Sequence, residues 1–486
     1  MAGTDISTVG WLARHATERP QAPAIVLDGR AIGFGAFHAA LRRTAGFLRR
    51  LELPSGSIAA LDCDDPVDHL LLALSCEALG IATASIDGRA RNAYGSLLGI
   101  ADILLFSAAT APPPGCRRVE RLASGWQRRL PDGPPLPMGS CDPDLALRLL
   151  QTSGTTGPVK WMRATRRSQE FWLAQYRWRS GMTAETRHLM VSGFHLNAAY
   201  LYATVCLRAG GCCLIETQRD LAAAVAALRP NHMAVLPAEL GALTDGVAAA
   251  GAAVASMQVS TLGGRIGPAL RRRAEALFGR PVAESYGSNE TGPIATMDAE
   301  GVGTLLPGVS VSIVDEAGLP VPSGGPGLLR VCSAGVVGGY VEATAATAAA
   351  FHDGWFQPGD LAVDLGDGRI RLLGRADDML NIGGVKLSPL AFEEAARGLA
   401  VLRDLCVVER AAASGLDELA IAVVLAPGAE PGDAVRQLAA LLPKNWGPAT
   451  LHVVAAIPST GTGKPVRAAL RALLGDRRGL APAPDS

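Results

Sequence analysis

Three times between residues 144 and 290, a short apolar run empties into a glycine-containing loop: DLALRLLQ into TSGTTG, VASMQVS into TLGG, and RPVAES into YG. Apolar runs this short, bounded by turn residues, read as buried strands. In α/β sheets the loops beyond strand ends are where ligands bind. Nearer the start, helical spacing of apolar residues over 67–79 (VDHLLLALSCEAL) is followed by the apolar segment IATASI. Helix and strand alternate, so the pattern predicts an α/β fold.

The segment 108–143 is rich in Pro and Gly with one short helix-like piece, which predicts a surface connection. The Arg-dense RATRRSQEFWLAQYRWR predicts an amphipathic helix with a solvated basic face. LAVDLGDGRIRLLGR predicts a hairpin turning at Gly366, Asp367 and Gly368. Beyond Arg375 the pattern restarts: a helix near 389–399, strands near 404–410 and 418–425, a second helix, then the strand LHVVAAI. That makes a module of about 110 residues, an ordinary small-domain size. The closing GDRRGLAPAPDS lacks apolar periodicity and predicts a frayed tail.

Composition narrows the partners. Of 486 residues, 49% are hydrophobic and 19% charged, enough for a large core and more than one domain. Lys+Arg and Asp+Glu both total 45, so no net field draws nucleic acid or an anionic membrane. Nine scattered cysteines without a CxxC pair argue against a disulfide framework and a zinc site. The N-terminus lacks a signal peptide's apolar core, and no run approaches the roughly 18 apolar residues of a membrane helix, so the expectation is a cytoplasmic protein. Only four basic residues are lysine: Lys160, Lys386, Lys444 and Lys464.

Two of the four stand in Gly/Thr-rich loops, TSGTTGPVK (152–160) and PSTGTGKPVR (458–467). Glycine lets backbone N–H groups converge, hydroxyls add donors and lysine adds charge, a combination suited to polyphosphate. Neither is a Walker A loop, which needs Gly directly before the Lys and a hydroxyl after it. Val159 and Trp161 flank the first lysine, and Pro465 follows the second. Each loop alone reads equally well as a surface turn.

Taken in order, TSGTTGPVK, YGSNE (286–290), WFQPGD (355–360), GRADDMLNIGGVKLSP (374–389) and PSTGTGKPVR resemble the core motifs of the adenylate-forming superfamily. That group embraces acyl- and aryl-CoA synthetases, nonribosomal adenylation domains and firefly-type luciferases. TLGGRIGPAL (261–270) and GPGLLRVCSAGVVGGY also fit, and the resemblance covers the whole chain, weakest over the first 140 residues. It implies a large N-terminal domain (1–376) of stacked α/β sheets that binds ATP and acid, a small mobile C-terminal α+β domain (377–474), and a tail (475–486).

The resemblance also implies roles. Thr152, Ser153, Gly154, Thr155, Thr156 and Gly157 would hold the ATP β- and γ-phosphates, with Lys160 neutralising them. Tyr286, with Ser285 and Gly287 beside it, would stack near adenine with Gly263 and Gly264 on the ring's other side, and Asn289 would keep a phosphate contact. Glu290 matches the Mg²⁺ carboxylate, and Asp360, assisted by Arg375, the acceptor for the ribose hydroxyls. Lys464 would contact the substrate carboxylate and α-phosphate as charge redistributes; outside the resemblance it reads as a lysine capping the following helix. Asp377 matches the hinge, and Gly383 and Gly384 the loop facing a pantetheine channel, so CoA or the phosphopantetheine of an acyl carrier protein is the implied acceptor.

Three departures stand out. The proline is shifted and a large ring follows the lysine in Pro158-Val159-Lys160-Trp161, and Asn289 replaces a customary threonine. In GFHLNAAY, His195 stands where amino-acid-activating members carry an aspartate, so an α-ammonium group would lose its counter-charge. His195 resembles the acyl-pocket gate of acyl- and aryl-CoA synthetases, and reads otherwise as a core histidine. Asn197, Tyr200, Arg265 and Ser288 are candidate pocket residues. The implied activity is AMP-forming ligation of an aryl or small acyl acid to a thiol. Alternatives are an amine acceptor, or the branch that activates nitrite to diazotise an arylamine. A non-catalytic binding protein is disfavoured because Glu290, Asp360 and Lys464 are all present.

Overall fold

The structure, a computed structural model, describes residues 7–475 except 88–93, 109–110, 137–141, 153–159, 218–219, 252–253, 255, 383–384, 412–416, 444–445, 447–448 and 461–464. Two sheets share one core. The first runs in the order Tyr340–Val341, Trp161–Thr165, Ala146–Gln151, Ala82–Ser85, Ile58–Asp62, Ile103–Phe106, Val119–Arg121. The second runs Gln258–Thr261, His232–Val235, Arg187–Met190, Cys212–Ile215, Pro23–Leu27, Arg30–Gly33.

Helices Pro66–Ala78 and Asn197–Arg208 fill the space between them. The first is buried on every side from Val67 to Ala78, its polar Asp68, His69, Ser75 and Glu77 included, as befits a helix with no solvent face. Asp65 caps it by accepting from the Val67 and Asp68 N–H groups, and Pro66 supplies a first-turn residue that needs no donor. Leu70, Leu72 and Leu74 are fully buried, in one cluster with Ala59 and Leu150 of the first sheet and Ile25 and Cys213 of the second. Each such leucine contributes roughly 1.5–3 kcal/mol.

The three anticipated strands, Ala146–Gln151, Gln258–Thr261 and Glu284–Ser288, belong to three different sheets. The third sheet pairs its neighbours antiparallel and includes the predicted hairpin, Asp360–Gly366 with Arg369–Arg375, whose turn residue Asp367 has φ 51°. A bridge between Ser260 and Ala283 sets the second sheet beside the third. The strand ends therefore face one region.

Both surface expectations hold in outline, each with a buried anchor. The 108–143 segment carries a single turn, Trp126–Arg129, but Trp126 is buried and its Nε1 donates to Asp68 Oδ2 at 3.0 Å, anchoring the connection to the central helix. The Arg-dense stretch forms the helix Arg166–Ser180, and its inner face is deeply packed: Trp172 is fully buried and donates to the carbonyls of Thr291 at 2.8 Å and Gly335 at 3.0 Å.

Beyond Arg375, a ribbon Leu380–Ile382 with Val385–Leu387 precedes a three-stranded sheet, Leu402–Ala411, Asp417–Leu425 and Ala449–Val453. Strand periodicity of two sends Leu405, Val407, Leu419 and Ile421 toward helices Leu390–Ala396 and Pro431–Leu441. Cys406, Val408, Ala420 and Ala422 face helix Arg467–Leu474 on the other side. Among the described residues no strand pairing joins this sheet to the first three. The described cysteines are free, and no described helix is long and apolar enough to cross a membrane.

Candidate active site

Strand Ala146–Gln151 delivers Thr152 to the site, and its partner Trp161–Thr165 carries the chain away. Thr152 N–H donates to the Lys160 carbonyl at 2.9 Å, closing the foot of the loop. Ser153, Gly154, Thr155, Thr156 and Gly157 lie outside the described residues, as do Gly383, Gly384 and Lys464. The large ring after the lysine is an anchor: Trp161 is buried against Tyr94 and its Nε1 donates to Ser96 Oγ at 3.1 Å.

Lys160 Nζ sits 5.1 Å from the centroid of the Tyr340 ring, within cation–π range. Tyr340 Oη donates to Glu290 Oε1 at 3.1 Å. Burial, then the Glu290 charge, hold the Tyr340 hydroxyl well above its ordinary pKa, so it remains a donor. The loop foot, a ring and a carboxylate thus form one cluster. Asn289 Nδ2 donates to the Gln151 carbonyl at 2.9 Å, which ties YGSNE to the strand feeding the loop. Ser288 Oγ accepts from the Glu290 N–H at 3.2 Å and lies 3.3 Å from Thr291 Oγ1. Gly287 is required by close approach: a Cβ there would meet the Gly292 carbonyl oxygen at 2.4 Å.

Tyr286 donates its hydroxyl to Asp360, and burial followed by that carboxylate raises its pKa far above the usual value. Arg375 Nη1 stands 3.8 Å from Asp360 Oδ1, and Nη2 stands 3.7 Å from Asp377 Oδ2, so one guanidinium spans the two acidic positions. Ser285 pairs with Thr296 in the same sheet. Gly263 takes a left-handed φ of 72° after strand Gln258–Thr261, and Gly264 packs its backbone on Pro237.

The expected pocket residues are dispersed. His195 Nε2 lies 3.8 Å from Asp87 Oδ2. Tyr200 is fully buried, donating to Glu77 Oε2 at 3.2 Å, and Asn197 is buried, its Oδ1 lacking a hydrogen-bond partner among the described residues. Arg265 pairs instead with Glu394 of helix Leu390–Ala396, Nη1 to Oε1 at 2.5 Å, directed at the C-terminal sheet. Sequence reasoning quoted the segment holding Tyr340 without giving it a role, and it missed Asp87. It also passed over Arg148, whose signal was plain: a charge inside LALRLLQ.

Residues 108–341 match the family described as AMP-binding enzyme. The fatty acid–[acyl-carrier-protein] ligase MmaC of Mycobacterium marinum is 26% identical over 95% of this chain and 96% of its own length. Over residues 108–341 the chain carries an AMP-binding enzyme domain. A probable non-canonical nonribosomal peptide synthetase of Salinispora arenicola is 28% identical over 67% of the chain, which spans only 4% of that protein. The amide bond synthetase McbA of Marinactinospora thermotolerans superposes with a TM-score of 0.81 at 21% identity, over 96% of this chain and 100% of that one. The Lys160–Tyr340–Glu290 cluster joins the first sheet to the third, and the Tyr286–Asp360–Arg375 cluster lies within the third.

Proposed function

We propose that this enzyme activates a small acyl or aryl carboxylic acid with ATP and passes the acyl group to a pantetheine thiol, of CoA or of an acyl carrier protein. The observation that carries the reading is the Lys160–Tyr340–Glu290 cluster at the foot of the TSGTTG loop. In the first step a carboxylate oxygen of the acid attacks the α-phosphorus; the bond from that phosphorus to the β-bridging oxygen breaks, giving acyl-adenylate and pyrophosphate. In the second, the thiolate attacks the acyl carbon and the bond to the AMP oxygen breaks.

Residues 152–157 hold the β- and γ-phosphates through backbone N–H groups and hydroxyls, with Lys160 adding charge. Glu290 suits Mg²⁺, a hard ion that takes one or two carboxylates and completes its shell with phosphate oxygens and water. When bound, the ion neutralises phosphate charge. Tyr340 orients the Glu290 carboxylate. Asp360 accepts from the ribose hydroxyls while Tyr286 and Arg375 fix its orientation. Lys464 stabilises charge on the α-phosphate and the attacking carboxylate. The large domain (1–376) and small domain (377–474) exchange poses about Asp377, bringing Gly383 and Gly384 to the thiol path. His195 closes the acid pocket.

A second reading keeps the first step and replaces the thiol with an amine; the likeness to McbA supports it. The test is pyrophosphate release with Mg²⁺ and ATP across benzoates, cinnamates, short and long fatty acids, amino acids and nitrite, first without acceptor and then with CoA, holo carrier protein or amines. Release with a carboxylic acid and capture by a thiol is expected. Turnover with nitrite alone, or with no acid at all, would overturn the proposal.

A further inference from the structure

The adenylation reading leaves one buried charge unused. Arg148 lies inside strand Ala146–Gln151, only 1% exposed, in register with Thr83. Its Nη2 donates to Ser85 Oγ at 3.2 Å and to the Phe194 carbonyl at 3.2 Å, and its guanidinium carbon lies 3.8 Å from the centroid of the Tyr200 ring. Nε and Nη1 have no hydrogen-bond partner among the described residues, and the Tyr200 ring is the group stacked on the guanidinium. Glu77, the acidic group nearest in this network, is occupied elsewhere: its carboxylate accepts from Thr8 Oγ1, Gln169 Nε2 and Tyr200 Oη. Burial therefore lowers the Arg148 pKa, with no carboxylate in ion-pair contact among the described residues.

Its surroundings place it behind the acid-pocket segment GFHLNAAY. Phe194, which takes one Nη2 bond, immediately precedes His195, and Tyr200 ends the segment. Ser85 Oγ is shared with His69 Nε2 at 2.8 Å, and the His69 ring packs 5.5 Å from that of Phe194. The Asn197 amide oxygen is likewise buried without a partner among the described residues. A buried cation with free N–H groups is unfavourable unless an anion meets it. An apolar acid would leave it unmet.

We propose that the acid substrate carries a second anionic group, a carboxylate at its far end, received by the free Nε and Nη1 of Arg148. This rests on the adenylation reading and names its substrate class: a dicarboxylic acid rather than a fatty or plain aryl acid. Arg148 is then a specificity-determining residue, since a pocket built to hydrogen-bond a group rejects analogues lacking it far more strongly than a pocket that merely accommodates it.

The test compares kcat/KM for pyrophosphate release on matched pairs, propionate against malonate, butyrate against succinate and benzoate against each phthalate isomer. Wild type, Arg148→Lys and Arg148→Met are measured, with circular dichroism confirming the fold. Wild type is expected to favour at least one diacid over its monoacid partner by about 100-fold, Arg148→Lys to keep part of that ratio, and Arg148→Met to bring it near unity or invert it. Wild-type release with monoacids alone overturns this inference while leaving adenylation standing. A diacid preference unchanged in folded Arg148→Met also overturns it and makes Arg148 a structural tie between Ser85 and Phe194. Should Arg148→Met not fold, the wild-type ratio together with Arg148→Lys decides. Release with no acid overturns both readings.

Discussion

Tyr340 is held between the Lys160 ammonium and the Glu290 carboxylate, so it aligns the one against the other. A hydrogen bond to a charged group contributes about 1.5–3 kcal/mol. Tyr340→Phe is therefore expected to slow pyrophosphate release by roughly tenfold and to raise the Mg²⁺ concentration needed for half-maximal rate; an unchanged Mg²⁺ dependence would remove Tyr340 from the site. Lys464→Ala is expected to lower adenylate formation by roughly 10²–10³-fold, while transfer from supplied adenylate to thiol persists. Equal loss in both steps would contradict its role. Burial also sets a pH dependence. His69 is depressed to about 3 and His188 to about 4, each chiefly by burial. Between those values and the ordinary 6.5 the unfolded chain binds more protons, so each histidine lowers stability as pH falls, by about 1.4 kcal/mol per pH unit. His69→Gln should lose less melting temperature than wild type between pH 7 and pH 5.

Among the elements, helix Pro66–Ala78 bears on both sheets at once. Leu72→Ala within it should reduce stability by about 2–5 kcal/mol, read from urea denaturation, with little change in the acid preferred. This helix was legible in the sequence because its apolar spacing is local, and so were strands Ala146–Gln151, Gln258–Thr261 and Glu284–Ser288, each a short apolar run closed by glycine. The ribbon Leu380–Ile382 with Val385–Leu387 was not anticipated, since three-residue strands carry no usable period. Trp126 was not legible: within a Pro/Gly-rich segment that lies mostly at the surface, one aromatic ring finds an apolar seat and a carboxylate partner.

For the whole molecule, the pair Arg265–Glu394 links the loop after strand Gln258–Thr261 to helix Leu390–Ala396 beside the C-terminal sheet. Each side chain is about a quarter exposed, so the pair adds about 1 kcal/mol or less to stability. Its effect is expected on pose. Glu394→Ala should leave the denaturation midpoint nearly unchanged while altering the ratio of adenylate formation to acyl transfer, and Arg265→Glu with Glu394→Arg should restore that ratio. If Arg265 served the acid pocket alone, Glu394→Ala would leave the ratio untouched. The sequence by itself determined the alternation of helix and strand, the restart after Arg375 and the order of the glycine loops, because propensity, period and turn chemistry act over a few residues. Only tertiary structure decided that Tyr340 meets Glu290, that Asp87 faces His195 and that Arg148 is buried beside Phe194 and Tyr200. Those partners lie 46 to 108 residues apart, and what a side chain meets depends on which strand ends the packing of separate sheets brings together.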